Sequence, residues 1–173
     1  MGMDLVPRHN IRGFHANWTG WSEIQVLLSF LEQDLTHMGG DNSGNRVPAA
    51  DARAWGKAVR TALEKKELIE AKVSCEGISG GWKTWTIPQS KKSLFDEAYK
   101  RIAGGEKAQT LLERYFQMDG IWDKAFKDRG DKKRQVPKDD EGFIKYDKLD
   151  KEGEEFFLEF ATFCEKSGGF QQC

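Results

Sequence analysis

Two short segments hold the residues whose types and spacing could do chemistry. The first is Gly39-Gly40-Asp41-Asn42-Ser43-Gly44-Asn45, three glycines among small polar side chains. Such a run builds no core; it turns, caps, or presents amides and carboxylates from a rigid frame. The second is Gly13-Phe14-His15-Ala16-Asn17-Trp18-Thr19-Gly20-Trp21. Here His15 could move a proton, Asn17 could orient a ligand, and Trp18 and Trp21 could wall it. Trp82 and Trp85 form a second aromatic pair beside a glycine-rich turn. The candidate ligand- or partner-binding set is therefore His15, Asn17, Trp18, Trp21, Asp41, Asn42, Asn45, Trp82 and Trp85, with each tryptophan having core burial as its ordinary alternative.

Spacing rules remove the better-known chemistries. Neither Gly39–Asn45 nor Gly77–Gly81 matches G-x-x-x-x-G-K-[ST] or G-x-G-x-x-G, so a phosphate cradle lacks its signature. Asp41, Ser43 and Asn45 alternate as calcium ligands do. No glycine follows Asn45, however, and the twelfth position from Asp41 is Ala52 rather than glutamate. His9, His15 and His37 are scattered, far in sequence from Cys75, Cys164 and Cys173, which is not a zinc pattern. Gly77-Ile78-Ser79-Gly80 misses the nucleophile-elbow spacing. No catalytic residue, metal or cofactor is expected. Lys132-Lys133-Arg134 is interleaved with Asp128, Asp131, Asp139 and Asp140, which cancels the charge a nucleic-acid stripe needs.

The elements that must position these residues follow from periodicity. Ile24, Leu27, Leu28, Leu31 and Leu35 predict an amphipathic helix from Ser22 to about His37, its polar face holding Glu23, Gln25, Glu32 and Asp34 and its stop at Gly39-Gly40. Pro48 and Asp51 open a second helix to about Lys66, with Ala52, Trp55, Val59, Ala62 and Leu63 on one stripe. The stretch before them reads as irregular, with a short strand at Met3, Leu5 and Val6. Alternation from Leu68 to Ile87 across Glu76–Gly81 predicts a β-hairpin. Ser93 with Asp96 reads as a capping box for a helix to Ala103. Helices follow from about Glu106 to Met118 and through Trp122 and Phe126, then a charged flexible loop at Asp128–Asp140. The last helix, about Lys151 to Lys166, carries Phe156, Phe157, Phe160, Phe163 and Cys164, and Ser167-Gly168-Gly169-Phe170 closes it. The expected fold is α+β and mainly helical in a single domain of residues 1–173. It has an amino-terminal helix–loop–helix, a central hairpin, and a carboxyl-terminal aromatic helix packed on the bundle.

Composition narrows the class of function. The chain has 173 residues, 38% hydrophobic and 32% charged, with a net charge of −1. Eleven Phe, six Trp and three Tyr are too many for a disordered chain. The charge balance makes nucleic acid an unlikely partner. No apolar run approaches the roughly 20 residues of a membrane span, and the start lacks a signal peptide. Three widely spaced cysteines do not form a disulfide framework. The expectation is a soluble protein of the cytoplasm.

Met1-Gly2-Met3-Asp4, the Trp18–Trp21 segment, Asn42-Ser43-Gly44-Asn45 before an Ala-rich helix, and the close Phe163-Cys164-Glu165-Lys166-Ser167-Gly168-Gly169-Phe170 together resemble a group of small uncharacterised phage and bacterial proteins. Those open with Met-Gly-Met-Asp and close with Ser-Gly-Gly-Phe. The hairpin and the charged loop have no counterpart in that group. The resemblance carries no activity over. It implies a phage or mobile-element accessory protein that binds and inhibits a bacterial host or defence protein in the host cytoplasm. The other reading, of a different class, is a small-molecule, nucleotide-like binder or hydrolase. Its pocket would join His15, Asn17 and Trp18 to the Asn/Asp-Gly loop.

Overall fold

A computed structural model of the chain describes residues 2–40, 42–74, 82–118 and 144–173. Asp41, Cys75, the Glu76–Gly81 turn, the helix expected through Trp122 and Phe126, and the loop expected at Asp128–Asp140 lie outside the described residues. The fold is α+β. Its described helices and strands are β1 (Gly2–Pro7), β2 (Phe14–Asn17), α1 (Trp18–Phe30), β3 (Arg46–Val47), α2 (Ala49–Glu64), β4 (Leu68–Ser74), β5 (Trp82–Pro88), α3 (Lys92–Ala103), α4 (Leu111–Met118), β6 (Ile144–Lys148), α5 (Lys151–Lys166) and β7 (Phe170–Gln172). The chain divides into two compact units, Met1–Leu68 with Leu149–Cys173, and Ile69–Lys148.

The first unit is built on a four-stranded sheet in the order β2-β1-β7-β3. The short strand expected at Met3, Leu5 and Val6 is β1, and part of the stretch read as irregular forms β2 and completes a hairpin with it, Asp4 opposite His15 and Leu5 opposite Phe14. Period-two alternation buries Met3, Leu5, Phe14 and Ala16 and leaves Asp4, Val6 and His15 outside. The last strand was not foreseen. It pairs with both β1 and β3, and Asp4 and Cys173 exchange backbone hydrogen bonds of 2.9 and 2.8 Å.

Three helices complete the core of this unit. On α5, Asp150 caps the first turn by accepting from the Gly153 N–H at 2.7 Å. Phe157, Phe160, Phe163 and Cys164 are all buried, with Phe160 5.5 Å and Phe163 6.0 Å from the Phe14 ring. Burial pushes the Cys164 thiol pKa well up, keeping it a neutral packing group. Helix α5 runs against α2 where Gly56 permits it: a Cβ there would stand 2.7 Å from the Ala161 carbonyl oxygen. Arg60 then clamps the pair, donating from Nε and Nη2 to both Glu165 oxygens at 2.8 Å and from Nη2 to Thr162 at 2.9 Å. Gly168 and Gly169 turn the chain at positive φ into β7.

The expected helix boundaries need correction. Helix α1 begins at Trp18, earlier than Ser22, because Asn17 caps it. It also stops at Phe30, well before Gly39-Gly40. Glu32 takes φ +58°, and the Gln33 N–H returns to the Leu28 carbonyl at 3.0 Å, a Schellman closure without glycine. Gln25, assigned to the solvated face, is buried, as α1 is covered on more than one side. Helix α2 ends the same way, with Lys66 at φ +53° and the Glu67 N–H on the Ala62 carbonyl.

The second unit has its own sheet, in the order β5-β4-β6, with Ile69 opposite Lys148 and Ala71 opposite Tyr146. Trp85, Phe95, Tyr99 and Phe116 form its aromatic core, with Phe95 and Phe116 edge to face at 5.3 Å. Ser93 caps nothing here. It lies inside α3, which continues from a 3₁₀ turn at Gln89–Lys91, and Asp96 instead accepts from the Tyr146 hydroxyl at 2.5 Å. Burial, then that bond, raises the Tyr146 pKa far above the ordinary tyrosine value. The capping box belongs to α4. The Glu113 N–H donates to Thr110 Oγ1 at 3.2 Å, while Glu113 Oε2 accepts from the N–H groups of Thr110 and Gln109. This box starts α4 at Leu111 rather than near Glu106.

Two tests follow from these helix ends. Lys66→Gly relieves a left-handed β-carbon and should raise stability by about 1 kcal/mol in denaturant unfolding; a loss would mean that Lys66 is not left-handed. Glu113 is buried yet holds its pKa below the ordinary glutamate range, since the Gln109 and Thr110 N–H groups and Arg101 outweigh desolvation. A depressed carboxylate stabilises above its unfolded pKa, near 4.3, and that stability disappears as pH falls through the folded value. Glu113→Gln should therefore destabilise at neutral pH by about 1–3 kcal/mol and weaken the acid dependence of the melting temperature. An unchanged acid limb would refute this assignment.

Candidate functional site

The residues expected to form a site separate into three groups once the strands and helices are in place. Asn17 ends β2 and caps α1, its Oδ1 accepting from the Gly20 N–H at 2.7 Å. That cap fixes where Trp18 starts the helix, and Trp18 stands 40% exposed. On the outer face of the sheet the His15 Nδ1–H donates to Asp4 Oδ1 at 2.6 Å, with both side chains more than half exposed. These residues share the hairpin and its junction with α1.

Trp21 and the loop make a second, buried group. The Trp21 indole N–H donates to the Gly39 carbonyl at 3.2 Å, and Gln25 Nε2 donates to the same oxygen at 3.1 Å. The Gly39 N–H donates in turn to Gln172 Oε1 at 2.8 Å, and the Gln172 backbone N–H donates to the Asn45 carbonyl at 2.9 Å. Gln172 is wholly buried, and its Nε2 has no hydrogen-bond partner among the described residues. Asn42 reaches back to the sheet, its Nδ2 donating to the Gly2 carbonyl at 3.2 Å. The loop thus meets Trp21 through the backbone of Gly39. Asn42 and Asn45 join it to β1 and β7.

Trp82 and Trp85 belong to the other unit. Trp85 is core, 5.6 Å from the Tyr115 ring and 6.3 Å from Phe116, with the Lys83 ammonium 4.2 Å from its ring centre. Trp82 is half-buried, with the Lys145 ammonium 4.8 Å from its ring centre. A groove of about 440 Å³ in the first unit is lined by Leu31, Ala54, Ala58 and Thr61 among others, and none of the eight described residues of the expected set lines it. Among the described residues, no three His, Cys, Asp or Glu side chains cluster as metal ligands.

Sequence reasoning missed Asp4, Gln25 and Gln172. Asp4 carried a signal, since its place between Met3 and Leu5 puts it on the outer face beside His15. The two glutamines carried none, because a buried amide is recognisable only once its acceptors are in place. No family model matches the chain, and neither a curated protein nor a solved structure shows significant similarity to it.

Gly39 is the node of the buried group. A Cβ added there would fall 2.3 Å from Asn45 Nδ2 and 2.8 Å from Gln172 Oε1. Gly39→Ala should cost about 1–3 kcal/mol by overpacking, measured by thermal unfolding. Wild-type stability in that variant would show that the network is loose.

Proposed function

We propose that this protein is a non-enzymatic binding protein, an accessory of a phage or mobile element. It acts in the cytoplasm of a bacterial host cell by binding and inhibiting a host or defence protein. The observation that carries the reading is Trp18. Trp21, Trp55 and Trp85 are each 1% exposed, whereas Trp18 keeps 40% of its surface open. A large, rigid aromatic side chain in that setting is the usual anchor of a protein interface. It is held by the Asn17 cap at the end of a hairpin, beside the polar face that carries the His15–Asp4 pair. Rigid backbone on both sides lowers the ordering cost of binding.

The same geometry favours it over the pocket reading. The Asn17 side chain, the Trp21 indole N–H and the Asn42 side chain each hydrogen-bond to the chain's own backbone or backbone N–H, at three separate places. None of the described helices is long and apolar enough to cross a membrane.

The test is capture from bacterial lysate with the tagged full-length chain beside its Trp18→Ala variant. A stoichiometric partner should be retained by the wild type and lost from the variant, with circular dichroism confirming that the variant stays folded, because the covered part of the side chain also contributes to stability. A partner retained equally by both chains would overturn the assignment to Trp18. Binding of a nucleotide or metal by the wild type, seen as a thermal shift of about 2.7 kcal/mol at a hundredfold excess over its Kd, would favour the pocket instead.

A further inference from the structure

The sheet of the first unit has an open side. Its order is β2-β1-β7-β3, so β2 lies at an edge and pairs with β1 alone. Asp4 and Cys173 exchange both backbone hydrogen bonds, which turns the Asp4 N–H and C=O toward β7. Backbone groups point to alternate sides along a strand, so those of Met3 and Leu5 face β2 and meet Ala16 and Phe14. By the same alternation His15 and Asn17 direct their backbone groups away from β1. Among the described residues, the His15 N–H and C=O and the Asn17 N–H have no partner. Both residues are exposed.

Native sheets blunt such edges with very short strands, lysine, proline or a covering segment. At the other edge of this sheet, β3 is two residues long and starts directly before Pro48 in the chain. In the second unit, the edge strand β6 carries exposed Lys145 and Lys148, and β5 ends at Pro88. Strand β2 reads Phe14-His15-Ala16-Asn17 and has none of these residues. Phe14 and Ala16 fix it to the core, and the Asn17 cap on the Gly20 N–H holds its far end. The edge is therefore preorganised as well as open. Trp18, 40% exposed, follows it directly in the chain.

Resting on the binding reading above, we infer that an extended segment of the partner protein adds to the free edge of β2 as a fifth strand, beside Trp18. The chemistry that answers this edge is a peptide backbone. A donor and an acceptor on His15, followed at the strand repeat by the Asn17 donor, are met in register by another extended chain. Those main-chain bonds supply affinity whatever the partner's side chains are, and Trp18 supplies a side-chain contact that selects among them. A second copy of this chain, pairing β2 to β2, would use the same groups, and the free protein distinguishes that case.

Hydrogen exchange followed by NMR on the full-length chain gives the first reading. The Phe14 and Ala16 amides should exchange slowly and those of His15 and Asn17 fast. Protection of the His15 amide in the free protein would overturn the inference, whether a segment of the same chain or a second copy covered the edge. The second reading uses dodecapeptides selected for binding from a random library displayed on yeast. A selected peptide should slow exchange at His15 and Asn17. N-methylation of its alternate residues should weaken binding at least about tenfold, while methylation of the residues between them should be tolerated. His15→Pro, which removes the outward donor, should weaken binding to a similar extent with unchanged circular dichroism. If that variant unfolds, the methylation series on the wild type decides alone. Failure to select any peptide, sensitivity to methylation without a two-residue period, or no new protection at His15 would each overturn the inference. Any of these beside an intact Trp18-dependent capture would remove the strand pairing and leave the binding reading in place.

Discussion

The first unit depends on one strand. Phe170–Gln172 lies between β1 and β3, so the two parts of that unit, far apart in sequence, are joined by a backbone ladder at the middle of the sheet. An interior strand satisfies its backbone groups on both sides, whereas an edge strand leaves half of them open. Its side chains continue the same work. Phe170 is buried against Trp55 and Phe163, at 6.1 and 5.3 Å, and Gln172 holds the Gly39 backbone. Helix α5 is therefore anchored at both ends, by the Asp150 cap at its start and by the strand beyond its end.

That constraint also explains the polar loop. Gly39–Asn45 looks in sequence like a ligand loop, because glycines and small amides are what a ligand loop uses. In the structure its carbonyls and amides complete a buried network: Trp21 and Gln25 on the Gly39 oxygen, Gln172 on its N–H, and Asn45 on β7. Gly39 lacks a side chain because two amides already occupy that space. The short terminal and loop motifs of the sequence lie in this one unit, and three of them meet at β7. Asp4 pairs with Cys173, the Asn45 carbonyl accepts from Gln172, and Ser167–Gly169 deliver the chain to Phe170. Such motifs read as the parts that close the sheet.

The second unit enters and leaves on paired strands, Ile69 opposite Lys148, and carries its own aromatic core. Four of its described carboxylates gather on two cations, Lys72 and Arg101. Arg101 draws Glu106 and Glu113 together because α3 and α4 pack side by side, and Lys72 draws Glu70 and Asp147 because β4 and β6 pair.

Local periodicity determined the helices and their buried faces. The stripe through Trp55 and Val59 and the aromatic face of α5 are legible because a 3.6-residue repeat needs no partner to be recognised. The alternation of β4 is legible for the same reason. Helix ends were less so: Glu32 and Lys66 adopt left-handed backbone without glycine, and the box at Thr110 and Glu113 competed with a false one at Ser93 and Asp96. Tertiary structure alone decided that Phe170–Gln172 is a strand, since three residues after a glycine turn carry too little pattern to mark one. It alone decided that Gln25 and Gln172 are buried, that Trp18 is open while Trp21 is not, and that the Gly39 peptide is held in a buried network. Each of these turns on which distant groups supply hydrogen bonds or cover a side chain, and that information lies between segments rather than within any one of them.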